Sequence, residues 1–376
     1  MKKRTIKSIV MVVLIAMITT LALIPVINGA LEPVKYDLSK DIYDDESAYM
    51  TEDQFHLIKA GMSSASSHNM QPWLVKIVDE STFEVYIDQS KLLPVVDPNN
   101  YQTLMSIGGF LANIDDEASS RGMMIEISYA ENIDFELESP KVATISIIQG
   151  TTMNPTDIRS GSTYQNDGDS LNQQTSFNPQ QEMDRFFEQG YTIDLIKDEQ
   201  LETFKAFLLE GTTIESTDQA AMDELLSIFR FSRHSKNVFR YGLSLNTISR
   251  PMQFYIESLV GMTSNWESFG KSSITTFEKR LASEFSYFVI SKEQPSQLDY
   301  LHVGYLSQWL SLELSYVNLR PAVQLIEPLH GMNQVLTDAK EQLNITNEVM
   351  LIIGVKWSEP SKAYESIRHQ VMDIIL

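Results

Sequence analysis

The chain of 376 residues contains no cysteine. Disulfides, thiolate nucleophiles, iron–sulfur clusters and a lipoprotein anchor are therefore excluded. Basic residues are scarce: 29 Lys and Arg stand against 50 Asp and Glu, a net charge of −21. That excess argues against nucleic acid, or an anionic membrane surface, as a partner of the soluble part. The histidines (His56, His68, His234, His302, His330, His369) fall at no metal-type spacing, and HExxH is missing. So are the Walker loop, the GxGxxG of a dinucleotide fold and the GxSxG of the nucleophile elbow. Gly61-Met62-Ser63-Ser64-Ala65 lacks the second Gly that the elbow needs.

The N-terminus is a targeting element. Lys2, Lys3, Arg4 and Lys7 precede an uncharged apolar run from Ile9 to Ile24, followed by Pro25 and the small Gly29 and Ala30. Residues 1–30 read either as a signal peptide or, with the run extended to Ile27, as an uncleaved membrane anchor. Both place the basic flank inside and export the acidic body, membrane-anchored or secreted. Residues 31–50 carry Lys35, Asp37, Lys40, Asp41, Asp44, Asp45 and Glu46 with few large apolar side chains, the make-up of a solvated acidic spacer. The folded body begins near Thr51. A hydrophobic content of 43% suffices for one large or two modest cores.

Within the body, Thr51 and Gln54 have capping-box spacing before a helix carrying Phe55, Ile58 and Met62. Trp73 to Val78 and Thr82 to Asp88 alternate as strands about a turn at Asp79-Glu80-Ser81. Thr103 to Arg121 is helical, and its Gly108-Gly109 pair predicts close approach of another backbone or a ligand. Met124 to Tyr129 and Val142 to Ile148 are strands, which completes an α+β pattern. Residues 150–182 are polar, loop-like and poor in bulky side chains. Beyond them the sequence predicts helices over Leu201 to Leu208 and, capped by Thr217, through Phe229. Further expectations are a dense basic run at Arg230 to Arg240, a strand at Phe285 to Ser291 and a long helix from Leu298 to Leu319. A buried strand at Val349 to Val355 and a C-terminal helix over Ser361 to Leu376 complete the reading.

Between the first helix and first strand lies Gly61-Met62-Ser63-Ser64-Ala65-Ser66-Ser67-His68-Asn69-Met70-Gln71-Pro72-Trp73. Hydroxyls and N–H groups here suit phosphate or ribityl oxygens, and each carboxamide of Asn69 and Gln71 offers a donor and an acceptor to a heteroaromatic edge. A turn closed by Asn69 is the plainer alternative.

Ser66-Ser67-His68-Asn69-x-Gln71-Pro72-Trp73 closely resembles the "PSSHNTQPW" signature of nitroreductase-fold flavoproteins, most like the Acg-type branch. Ala65 replaces the usual Pro and Met70 the usual Thr. Leu93-Pro94-Val95-Val96-Asp97-Pro98, with the helix around Ser106 to Asn113, resembles the family's next block. Arg233-His234-Ser235-x-Asn237-x-Phe239 is similar to the family's "RRSxRxF" entry, with Asn237 in place of the later Arg. Ile158-Arg159-Ser160-Gly161-Ser162-Thr163-Tyr164 resembles a further motif only in Arg159 and the later aromatic, and lacks its second Arg. Gly61-Met62-Ser63-Ser64 is echoed at Gly261-Met262-Thr263-Ser264.

The resemblance implies an α+β, nitroreductase-like fold over residues 51–376. Halves of roughly 51–182 and 183–376 would be fused as an intramolecular pseudo-dimer, monomeric in solution. It implies FMN as cofactor, with Asn69 and Gln71 at the ring edge, Ser66 and Ser67 at the polar tail, and His68 bracing the loop. Arg233 and Ser235, with Arg159, would hold the phosphate. The implied activity passes electrons through flavin to a nitroaromatic, quinone or similar small acceptor. A non-catalytic flavin-binding or storage protein is the alternative, and an interaction domain that has lost flavin is a third. No catalytic acid or base, electron donor or metal site is named by the sequence.

Overall fold

The computed structural model describes residues 2–27, 29–44, 49–148, 189–244, 252, 254–257, 266–314, 317–357 and 367–376. Arg159 and the echo at Gly261 to Ser264 lie outside them.

Helix α1 (Lys2–Ile27) contains Lys7–Ile27, which among the described residues is the one helix long and apolar enough to cross a membrane. Helix α2 (Glu52–Met62) begins at a capping box: Gln54 N–H donates to Thr51 Oγ1 at 3.3 Å and Thr51 N–H to Gln54 Oε1 at 2.9 Å. Strands β1 (Trp73–Asp79) and β2 (Thr82–Ile87), helix α3 (Tyr101–Ser120), and strands β3 (Met124–Tyr129) and β4 (Lys141–Ile148) follow. They form an antiparallel sheet of order β1-β2-β4-β3.

The second half starts with β5 (Thr192–Ile196) and continues through α4 (Leu201–Thr217), α5 (Gln219–Ser227), α6 (Arg233–Phe239) and α7 (Trp266–Ser283). Then come β6 (Ser286–Lys292), α8 (Gln297–Glu313), β7 (Val317–Pro321), α9 (Met332–Leu343) and β8 (Glu348–Trp357). This sheet, of order β5-β6-β8-β7, is again antiparallel. The two sheets thus share one plan. In each, a helix (α3 or α8) joins the second strand to an edge strand that pairs with the last. The architecture is α+β, with two four-stranded sheets.

Helices α3 and α8 make the most extensive packing contact between elements, and one continuous core runs through both. Leu104, Ile107 and Leu111 of α3 are buried with Leu301, Val303 and Leu306 of α8. Tyr101 and Tyr300 stack with ring centres 3.9 Å apart. Gly108 of the Gly108-Gly109 pair is a site of close backbone approach, as the sequence predicts, with α8 as the partner, while Gly109 packs against the Ser64 hydroxyl.

Three expectations of secondary structure are corrected. The long helix from Leu298 stops at Glu313, because Val317–Pro321 pairs with β8 instead; β7 is an edge strand, where a proline is tolerated. Thr217 is the last residue of α4, and Asp218 caps α5 by accepting from Ala221 N–H at 2.9 Å. Residues 367–376 form an extended segment with a 3-10 turn at Val371–Ile374, and Leu376 N–H donates to Val75 O beside β1 at 2.8 Å.

Residues 29–41 are not a solvated spacer. Tyr36 and Leu38 are buried, Arg368 N–H donates to Tyr36 O at 2.9 Å, and Lys59 Nζ to Asp41 O at 2.6 Å. They form a strap across α2, α6 and the C-terminal segment.

Candidate functional site

The loop from Ser63 to Pro72 is fixed by its backbone. His68, Asn69 and Gln71 all have positive φ (48°, 57° and 54°), a conformation non-glycine residues adopt only where their surroundings enforce it. Ser66 Oγ accepts from Gln71 N–H at 3.1 Å across the turn. Ser67 N–H donates to Ser106 Oγ at 3.0 Å and Ser67 Oγ to Gln102 Oε1 at 2.6 Å, which ties the loop to α3. Asn113 donates to Ser63 Oγ and Ala60 O, and receives Gln308 Nε2 at 3.0 Å, so α8 helps to hold the same loop.

Of the side chains singled out by sequence, Asn69 and Gln71 meet in one crevice, while Arg233 and Ser235 bond the strap and the helix cap instead. Gln71 Nε2 donates to Arg240 O at 2.9 Å, and Asn69 Nδ2 donates to Gly242 O at 3.0 Å. Gly242 N–H returns a bond to Asn69 O at 2.9 Å. The signature loop of the first half therefore lies against the end of α6, the helix that carries Arg233 and Ser235. The basic run at Arg230 to Arg240 is mostly this helix: Ser232 caps it through Ser235 N–H at 3.0 Å, and Glu257 accepts from Phe231 and Ser232 N–H, both at 2.9 Å.

The C-terminal segment closes the other side. Gln71 Oε1 accepts from His369 N–H at 3.1 Å, while Gln71 Nε2 also reaches Ile367 O at 3.3 Å. Asn69 Nδ2 donates to Ile367 O at 2.9 Å, and Arg368 bonds Asn69 Oδ1 and Ser64 O. Backbone carbonyls thus accept from both carboxamides, a backbone N–H donates to Gln71 Oε1 and the Arg368 guanidinium to Asn69 Oδ1. An isoalloxazine edge presents that same alternation of acceptor and donor.

Arg233 Nη1 donates to Ala30 O at 3.2 Å and Glu32 O at 3.0 Å. Glu32 also meets His234 Nδ1 at 2.8 Å and Asn237 Nδ2 at 3.1 Å; these bonds, with His234 first, lower its pKa. Ser235 Oγ donates to Ser232 O at 3.0 Å. A carboxylate of the strap occupies the basic face of α6. His68 is half-buried as a residue, its Nε2 is sealed without a partner, and burial lowers its pKa to about 4. The ring is neutral at physiological pH.

Sequence reasoning missed Lys91, Thr103 and Ser106, which with Ser67, Met70, Pro72, Leu93 and Asp97 line a cavity of about 10 Å³ beside the loop. The cavity has room for about one water. Lys91 Nζ lies 3.3 Å from the centre of the Tyr241 ring, and burial lowers its pKa. Its place two residues before Leu93-Pro94 is the signal that could have found it. Asp97 Oδ2 accepts from Thr103 N–H at 2.9 Å and Oγ1 at 3.0 Å, while burial raises its pKa to about 6. Behind it, Gln102 Nε2 reaches Glu327 Oε1 at 3.4 Å. Burial, then the charge of the buried Glu215, raises the pKa of Glu327 well above the carboxylate range.

Whether FMN suits these residues divides into chemistry and volume. The donors suit it: two carboxamides already bonded to carbonyl and N–H groups, hydroxyls at Ser67, Thr103 and Ser106, and cations at Lys91 and Arg233. The cavity beside the loop is far below the 300–1,000 Å³ of a small-molecule site. Room for the ring requires the 240–243 turn and the 367–369 segment to draw back. Room for a phosphate at Arg233 requires the Glu32 strap to yield. No family model matches the chain, and no curated protein matches it.

Proposed function

We propose that the chain is an exported, membrane-tethered oxidoreductase of nitroreductase type, fused from two like halves into an intramolecular pseudo-dimer, that holds FMN in this crevice. The observation that carries the reading is the meeting of the Ser66 to Trp73 loop with the end of α6. These motifs lie in different halves, and Gln71 Nε2 and Arg240 O bring them to 2.9 Å. The common plan of the two sheets and the central α3–α8 pair support the fused-halves part.

In the open form Asn69 and Gln71 would exchange the backbone of residues 240–242 and 367–369 for the ring edge. Ser66 keeps the turn of the loop through Gln71 N–H, Ser67 and Lys91 face the ring from the cavity, and Arg233 and Ser235 take the phosphate. Bound FMN supplies hydride or electron transfer, here to a nitroaromatic, quinone or similar small acceptor.

A flavin-holding protein without turnover is the second reading, favoured by the closed crevice. Photoreduced protein given a quinone under anaerobic conditions separates them. The oxidoreductase reoxidises repeatedly and loses this with Asn69→Ala; binding with a single, sluggish reoxidation contradicts turnover.

A further inference from the structure

Pro25 lies inside α1. Proline has no N–H, so Leu21, four residues earlier, is left without its helical donor. Tyr255 Oη donates to Leu21 O at 3.4 Å. The body therefore supplies the bond that the span cannot make for itself. Leu21 is six residues before the end of α1, roughly 9 Å along the axis. A carbonyl left open at that depth in lipid is costly, so the position of this donor is meaningful.

The exit of the span is clamped as well. Gly29 has φ +76° and closes α1, with Ala30 N–H donating to Pro25 O at 2.8 Å. A Cβ on Gly29 would stand 2.8 Å from His234 Cβ, and Arg233 grips the next carbonyls. Tyr255 and Glu257 share one helical segment, so that segment bonds both the span and the start of α6. Around this junction lie exposed apolar side chains: Leu31 (82%), Val238 (59%) and Met252 (53%). Val238 follows His234 by one turn and shares its face of α6. In an acidic chain, the densest basic run sits here too.

We infer that the body is docked rather than loosely tethered, with Val238 of α6, Met252 and Tyr255 seated in the interfacial layer of the bilayer that α1 enters. Aromatic hydroxyls and short apolar side chains suit that layer. Docking holds the crevice beside α6 at the lipid–water boundary. The inference rests on α1 remaining as an anchor, but not on flavin.

The chain has no cysteine, so single-cysteine variants report one site each. Full-chain Val238→Cys, Met252→Cys and Leu137→Cys, each carrying an environment-sensitive fluorophore, are reconstituted into phosphatidylcholine/phosphatidylglycerol vesicles with nitroxide-labelled lipid. Leu137, 54% exposed on the β3–β4 loop, is the comparison site. Docking predicts blue-shifted, several-fold more strongly quenched emission at 238 and 252 than at 137, and loss of quenching at 252 when Tyr255→Phe is added. Vesicle flotation with equal signals at all three sites overturns docking and leaves the anchor standing. Failure to float overturns the anchor and the docking with it. Unchanged quenching at 252 in Tyr255→Phe overturns the Tyr255 tie.

Discussion

Gly108 of α3 and Gly304 of α8 sit in reciprocal contact. A Cβ on Gly108 would stand 2.0 Å from Leu301 O, and one on Gly304 would stand 2.0 Å from Met105 O. Each is the eighth residue of its helix, counted from Tyr101 and Gln297. Two helices at the same place in two like sheets thus cross at equivalent glycines.

Ala at either position drives a methyl into backbone that cannot rotate away. Gly108→Ala and Gly304→Ala should each lower stability by at least about 1–3 kcal/mol, read as a fall in the urea midpoint. The double variant should cost less than the sum, since one shift of the helices relieves both clashes. Full additivity would contradict a shared crossing.

Asn69 and Gln71 are held by the C-terminal segment, so loosening that segment should favour a ligand. Arg368→Ala removes bonds to Asn69 and Ser64. Hydrogen exchange should rise at residues 367–376 and FMN should bind more tightly. Faster exchange with weaker FMN binding would show that the segment helps to build the site.

Arg233→Ala should weaken FMN far more than riboflavin, which has no phosphate. The difference should be roughly 1.5–3 kcal/mol, the size of a hydrogen bond to a charged group. Titration calorimetry with both flavins checks it, and equal losses would move the phosphate elsewhere.

Burial raises Glu215 to about 7 and Asp97 to about 6, with Glu327 raised further by the charge of Glu215. Such acids bind protons more tightly folded than unfolded, so stability falls as pH rises through the window from about 4 to about 7. His68 works in the opposite sense. Lowered to about 4, it costs stability as pH falls below the ordinary histidine value of 6.5. Glu215→Gln removes only the acid's share. Its urea midpoint should gain on wild type between about pH 5 and about pH 7.5, and a constant gap would contradict a buried acid pair.

Local signals carried much of the fold. The capping box at Thr51 and the alternation through Trp73 to Ile87 act within a few residues of where they are written, while the glycine pair of α3 marked a close approach without naming its partner. β7 was not legible, because Val317 to Pro321 continues an apolar helical pattern and only the β8 partner makes it a strand. Nor was the strap: Tyr36 and Leu38 are two apolar residues in an acidic stretch, and their burial depends on α6 and residues 367–371, hundreds of positions away. The candidate site offered its residue types to the sequence, not their partners. Nothing around Asn69 or Arg233 in sequence announces Ile367, Arg368 or Glu32.

The central claim is that this crevice takes FMN. Its most direct test is the visible spectrum of purified residues 31–376, incubated with FMN and then desalted. The account predicts the two absorption bands of bound flavin at near one equivalent, lost with Gln71→Ala. A colourless protein that folds cooperatively, and stays colourless with Arg368→Ala, would contradict it.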